Sequence, residues 1–355
     1  MKSGGLFSEY CIKDVLFKNR LGVAPMTRMS SSVDGIPRRD VFEFLVHRAK
    51  SGAGAVYSEA IVTDYESAQG YPRQSRLSTQ RQIEAWKPVV HDIQQEGAVA
   101  IMQMFHCGRI ATPEVNPAHR SIAPSPLAPR QNNPLSAAPY PVPDEITFFD
   151  MKHVLLGFVE TARGAVAAGF KGIELHCAHG YLLSQFLSSY SNQRGDAFGG
   201  PVENRFRFVR EIIQAVREVV PSDRLLLVRI SNWGVVDMDV ELFNKEEYQE
   251  VIRLFSKEPI DAISVSTYAY DQKVFGTNQN MAQITRDVTT LPIFICGQIH
   301  DRSSAENALG DADIVLSGKS ALLNPQWISD VRQGRPLPPR RSEEANIAYT
   351  ETQLL

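Results

Sequence analysis

Hydrophobic positions along this chain fall into two alternating patterns. Short apolar, β-branched runs lie at 20–25, 55–60, 98–104, 171–176, 225–230, 261–266, 292–296 and 313–316. Each reads as a buried strand. Between them, apolar positions recur at helical spacing over 40–50, 80–96, 150–168, 203–219, 245–256, 281–289 and 303–309, and a last helix is expected near Pro325. Gly52, Gly97 and Gly169 stand where a glycine ends a helix, and Asn324-Pro325 reads as an N-cap followed by a first-turn proline.

Strict alternation of strand and helix implies parallel strands with the helices outside. Eight such units predict an α/β fold of the closed (β/α)8 TIM-barrel type. A doubly wound open sheet is the competing fold, but no GxGxxG follows the first strand. The strands end on Thr27, Glu59, Gln103, His176, Arg229, Ser266, Gly297-Gln298 and Gly318-Lys319. Turn residues alone would suffice at those ends. Polar and charged groups there match the face where barrel enzymes keep their chemistry. Two long connections, 105–149 and 177–202, leave this C-terminal face and are expected to wall a pocket. The first holds nine prolines, which argues for irregular chain with at most short strands of its own. Residues 1–335 are read as a single barrel and 336–355 as a tail outside it.

Of the 355 residues, 43% are hydrophobic and 22% charged, an ordinary globular composition. The net charge of −3 offers no footprint for nucleic acid or an anionic membrane surface. No apolar run approaches the roughly 18 residues that span a bilayer, and the first residues lack the apolar core of a signal peptide. Cys11, Cys107, Cys177 and Cys296 are far apart, without a CxxC. They read as free thiols of a cytoplasmic protein, spaced too widely for an iron–sulfur cluster. Self-association into a homo-oligomer is left open.

The densest chemistry is His176-Cys177-Ala178-His179-Gly180-Tyr181. Two imidazoles one turn apart can donate to one ligand oxygen, or join a metal with His106 as the only obvious third ligand. Zinc requires three or four ligands and no HExxH is present, so a metal-dependent barrel hydrolase is the weaker alternative and no metal is expected. A phenol such as Tyr181 is protonated at neutral pH and can deliver a proton to a transient carbanion. Arg229 ends an apolar strand and must meet an anion or several acceptors. Gly297, Gln298, Gly318 and Lys319 close strands seven and eight, the usual phosphate site of barrels.

On these residues the chain resembles the old yellow enzyme family. The strongest match is His176-x-x-His179-Gly180-Tyr181-Leu182-Leu183-x-Gln185-Phe186-Leu187-Ser188, continuing through Asn192-x-Arg194-x-Asp196-x-Phe198-Gly199-Gly200-x-x-Glu203-Asn204-Arg205. Supporting matches include Ala24-Pro25-Met26-Thr27-Arg28-Met29, Gln103, His106-x-Gly108-Arg109 and Val228-Arg229. The resemblance implies non-covalent flavin mononucleotide (FMN) at the barrel mouth and NADH or NADPH as reductant. Pro25, Met26, Thr27, Ala60, Gln103 and Arg229 would surround the isoalloxazine, and Gly297, Gln298, Gly318 and Lys319 would hold the phosphate. His176 and His179 would bind the oxygen of an α,β-unsaturated carbonyl or nitro compound, and Tyr181 would protonate its α-carbon. Other FMN-barrel reactions, such as amine demethylation or ring desaturation, are the nearest alternatives. Lys319 stands where the family usually has arginine, Ser189 where it has proline and Phe198 where it has tyrosine. Lysine keeps the charge but loses the bidentate fork.

Overall fold

The structure, a computed structural model, describes residues 4–64, 66–111 and 114–337. A hairpin of β1 (Tyr10–Ile12) and β2 (Val15–Phe17) leads into β3 (Leu21–Val23), α1 (Arg39–Lys50), β4 (Ala55–Val62), α2 (Gln80–Gln95) and β5 (Val99–Phe105). The proline-rich connection carries β6 (Ile122–Ala123) and β7 (Asp144–Glu145), and is followed by α3 (Phe148–Ala168) and β8 (Gly172–His176). Next come α4 (Leu182–Leu187), α5 (Val202–Val219), β9 (Leu225–Ile230), α6 (Lys245–Phe255), β10 (Ala262–Ser266), α7 (Met281–Arg286) and β11 (Ile293–Cys296). The chain then runs through α8 (Arg302–Asp311), β12 (Ile314–Ser317), α9 (Lys319–Leu323) and α10 (Trp327–Gln333).

Strands β3, β4, β5, β8, β9, β10, β11 and β12 close a parallel barrel in chain order, with β12 paired to β3. These are the eight strands expected from the apolar runs. Side-chain capping boxes fix the starts of α2, α3, α6, α7 and α8. Thr147 accepts from the Asp150 N–H while Asp150 reaches back to Thr147, so α3 begins at Phe148, ahead of its apolar pattern. The expected start of the last helix is corrected: Asn324 caps the end of α9, its side chain accepts from Gln326 N–H, and α10 begins only at Trp327. The expected tail lies, from residue 338 on, outside the described residues. All four cysteines are free thiols, and no helix among the described residues is long and apolar enough to cross a membrane.

Alternation along each strand separates two cores. Outward residues such as Ile173, Leu226, Val228 and Ile263 pack against the helices. Inward residues Tyr57, Val99, Ile101, Leu225, Leu227, Ala262, Phe294 and Ile314 fill the lower barrel. The hairpin plugs its floor, with Phe17 edge-on to Phe294 at 5.8 Å. One or two steps further along the same strands, the inward positions become Gln103, Glu174, His176, Arg229, Ser266 and Cys296. An irregularity between Tyr57 and Ala60 puts one extra residue into β4, so Tyr57 pairs with Ile101 and Ala60 with Gln103. Both therefore face inward, and Ser58 fills the gap by accepting from Gln103 N–H at 3.2 Å.

Candidate active site

Strand register assembles the polar tier. Gln103 pairs with Glu174, and His176 with Arg229. Arg229 is 2% exposed and Glu174 fully buried. The guanidinium donates from Nε to Glu174 Oε1 at 2.7 Å and from Nη2 to Oε2 at 3.4 Å. Gln103 Nε2 donates to the same carboxylate at 2.7 Å and the Tyr57 hydroxyl at 3.1 Å. Burial works against the Arg229 charge, but Glu174, Cys296 and Tyr57 outweigh it and raise its pKa. Arg229 is thus both the end of a structural ion pair and a cation at the mouth. Glu174 went unread in the sequence, although a carboxylate on the His176 face of an apolar strand was the available signal.

The two imidazoles form a directed chain. His176 Nδ1 accepts from Ala178 N–H at 3.3 Å. Burial first, then His179 and Arg229, depress the His176 pKa, so the neutral ring carries its proton on Nε2. That proton faces His179 Nδ1 at 3.2 Å, which leaves His179 Nε2 to donate to Ser266 Oγ at 2.8 Å. Ser266 Oγ lies 3.2 Å from Cys296 Sγ, which also accepts from Arg229 Nη1 at 3.2 Å. Burial and Arg229 push the His179 pKa down to about 3. In this arrangement the rings meet each other rather than converge on one point. A ligand oxygen would have to displace both the His176–His179 and the His179–Ser266 bonds to receive both N–H groups.

His179 adopts φ 61°, a left-handed conformation unusual for a side-chain-bearing residue. Its N–H donates to Ser231 Oγ at 2.8 Å and its carbonyl accepts from Val235 N–H at 3.0 Å, so the loop after β9 pins it there. Such strain costs on the order of 1–3 kcal/mol and collects at functional sites. Gly180 follows at φ 76°, where a side chain would add to that strain. Tyr181 then caps α4. Its ring stands edge-on to Phe105 at 4.5 Å and His176 at 4.9 Å, and its hydroxyl meets that of Tyr71 at 2.9 Å. Burial, with Tyr71 and Tyr140 nearby, raises the Tyr181 pKa well above that of a free phenol.

Pro25, Met26 and Thr27 cross the mouth beside these groups. Their segment is tied at both ends, by Ala24 N–H to Ser317 O at 2.9 Å and Arg28 N–H to Glu59 Oε2 at 2.9 Å. The first of these bonds brings β12 against β3, so the nearest atom to a Cβ built on Gly318 is Met26 Sδ, at 3.8 Å. Gly318 therefore leaves room beside Met26, with the first-turn N–H groups of α9 following. Gly297, at φ 139°, passes so close to Thr267 that any side chain would collide. Pro25, Thr27, His179, Cys296, Gly297, Gln298, Gly318 and Lys319 are partly exposed at the strand ends. A cavity of about 330 Å³ opens next to the imidazole chain, lined by Trp233, Met238, Ser266, Thr267 and Tyr268 among others.

His106 is not part of this cluster. Its Nδ1 accepts from Gly108 N–H at 3.1 Å and its Nε2 lies 3.1 Å from Ser67 Oγ and 3.3 Å from Asp64. The geometry thus withdraws the only obvious third metal ligand, and no group of three His, Cys, Asp or Glu suited to a metal occurs among the described residues. The long motif after Tyr181 is a clamp. Asn192 Nδ2 donates to Phe186 O and Phe198 O, both at 2.8 Å. Arg194 reaches Pro124 O and Ile146 O, and Arg205 reaches Leu187 O and Glu247. These bonds tie both long connections to the rim.

Residues 5–338 match the model of the NADH:flavin oxidoreductase / NADH oxidase family. The chain is 38% identical to putative 12-oxophytodienoate reductase 4 of Oryza sativa subsp. japonica, over 90% of this chain and 84% of that one. It is 30% identical to an NADH oxidase of Thermoanaerobacter brockii over 96% of this chain, but spans only 53% of that enzyme's length. An NADPH dehydrogenase of Clostridium acetobutylicum is 30% identical over 91% of this chain and 93% of its own. Among solved structures, the old yellow enzyme homologue from Zymomonas mobilis superposes with a TM-score of 0.87 at 26% identity, covering 99% of this chain and all of the other.

Proposed function

The chain belongs to the NADH:flavin oxidoreductase / NADH oxidase family, the old yellow enzymes, and on that premise we propose that it reduces the carbon–carbon double bond of α,β-unsaturated carbonyl or nitro compounds. FMN is the flavin of this family, and NADH or NADPH its reductant. The residues present suit that group. A buried guanidinium and an amide offer donors to an electron-rich ring edge. Gly318, where even an added Cβ would stand 3.8 Å from the nearest atom, offers bare backbone to a phosphate. Pro25, Met26, Thr27 and Ala60 would flank the ring, Gln103 and Arg229 its pyrimidine edge, and Gly297, Gln298, Gly318 and Lys319 the phosphate.

FMN, when bound, would supply the redox chemistry, accepting a hydride from NAD(P)H and passing it to the alkene β-carbon. The protein supplies everything else. His176 and His179, kept neutral by burial, present N–H groups to the substrate oxygen as negative charge develops there. Tyr181, kept protonated by burial, gives its proton to the α-carbon. Arg229, held charged by Glu174, would set a positive charge beside the ring edge. The cavity beside Trp233 and Ser266 gives room for substituents beyond the conjugated group. The observation that carries the reading is the edge-on packing of Tyr181 against His176 at 4.9 Å, an acid beside a neutral oxyanion donor. The test is anaerobic reduction by NADH or NADPH, then mixing with 2-cyclohexenone, a nitroalkene or a maleimide. Reoxidation with formation of saturated product is expected. A reduced flavin that oxygen reoxidises but none of these acceptors does would contradict the proposal.

A further inference from the structure

After each turnover Tyr181 must recover a proton, and the pocket that keeps it protonated also keeps it from water. Tyr181 is 7% exposed. The hydrogen bond recorded for its hydroxyl runs to Tyr71 at 2.9 Å, and Tyr71 is partly exposed. Tyr71 is held for this contact. The N–H groups of Gly70 and Tyr71 both donate to Gln74 Oε1 at 3.0 Å, and Gln69 Nε2 donates to the Tyr71 carbonyl at 3.1 Å. A side chain at Gly70 would press within 2.6 Å of Cys107 Cβ and 2.9 Å of Ile110 O, so the loop can approach only with glycine there.

We propose that Tyr71 is a positioning residue that orients the Tyr181 hydroxyl and relays a proton to it from solvent at the pocket edge. This rests on Tyr181 being the acid. When Tyr181 has given its proton to the α-carbon, the Tyr71 O–H proton moves to the Tyr181 oxygen. Tyr71 then takes a proton from water. The titratable groups facing the pair are Tyr140 from the long connection, Cys107 after β5, and His176 and His179 from the end of β8. No carboxylate is among them in the described residues, and the Tyr71 hydroxyl is the group at hydrogen-bond distance from Tyr181.

Tyr71→Phe in the FMN-loaded enzyme tests this. It removes one hydroxyl and little volume. Steady-state turnover is compared with an enone and with oxygen as acceptor, since oxygen takes no proton at carbon. The enone kcat should fall about tenfold further than the oxygen kcat, a part of the 10²–10⁴ typical of general acid catalysis, with KM for the enone within about threefold. The solvent deuterium effect on enone turnover should grow, and millimolar imidazole should restore part of the lost rate. Equal losses with both acceptors, or an unchanged isotope effect, would make Tyr71 a packing residue and overturn the relay. Tyr181→Phe run alongside separates the two readings. If that variant keeps full enone turnover, the acid itself is elsewhere and the relay falls with it. If it is slow while Tyr71→Phe behaves as wild type, only the relay fails.

Discussion

The lower and upper halves of the barrel interior are built on the same strands and obey different physics. On β9, Leu225 and Leu227 fill the floor with Phe294 and Ile101, while Arg229, two residues on, faces Glu174. On β8, Gly172 sits in the floor and Glu174 and His176 in the rim. Floor residues need only volume and apolarity, which many side chains supply. Rim residues need charge, donors and partners, and a wrong choice leaves a buried polar group unpaired. Loss at the floor should therefore show as stability, and loss at the rim as chemistry, except where a rim residue is also half of an ion pair.

The largest effect is expected at Tyr181, a pure rim residue. Tyr181→Phe should slow reoxidation by an enone about 10²–10⁴-fold, while reduction by NAD(P)H stays near wild type in stopped-flow absorbance. Equal slowing of both half-reactions would place Tyr181 on the wall and blur the division. Arg229→Met crosses the boundary. It should weaken FMN retention and also cost roughly 3–5 kcal/mol of stability, because Glu174 stays buried without its partner. Adding Glu174→Gln, which removes the charge but keeps an acceptor for Gln103 and Tyr57, should return most of the stability in urea titrations but not the FMN affinity; recovery of both would mean that Arg229 acts only through the fold. Leu227→Ala belongs to the floor. It should cost about 2–5 kcal/mol yet leave kcat per folded, FMN-loaded molecule within about twofold, as activity corrected for flavin content would reveal.

The smallest effect is that of pH. His176 and His179 have pKa values below the ordinary histidine range, that of His179 about 3. The unfolded chain takes up protons near pH 6.5, before the folded one does. Their contribution to stability is thus complete above that pH and lost as pH falls from about 6.5 toward 3. Enone turnover should show no ionisation from either ring between pH 6 and 8, and a step in kcat/KM near 6.5 that vanishes in His179→Ala would show that the imidazole is not held neutral.

The same division explains what the sequence could reveal. Eight apolar runs exposed the floor and all eight barrel strands, and helix starts erred by no more than two residues where a cap such as Thr147 or Asp301 lay outside the apolar pattern. The hairpin was missed because three-residue strands are too short to show a period. The six residues of α4 are all buried, and so carry no amphipathic stripe. His176, His179, Tyr181 and Arg229 were legible as chemistry, and the geometry brings them to one end of the barrel. Glu174 and Tyr71 were not, since their partners lie 55 and 110 residues away and meet only through strand register and loop packing. Asn324-Pro325 misled because a capping side chain at a helix end resembles one at a helix start.

Tracing the two hydrogens added to an enone tests the central claim most directly. With reductant deuterated at the transferable position in ordinary water, the product should carry deuterium only at the β-carbon. With ordinary reductant in deuterium oxide, it should carry one deuterium, at the α-carbon, when analysed by NMR before the ketone can exchange. Deuterium at the wrong carbon in either experiment, or solvent deuterium at both, would contradict a hydride delivered to one carbon and a Tyr181 proton to the other.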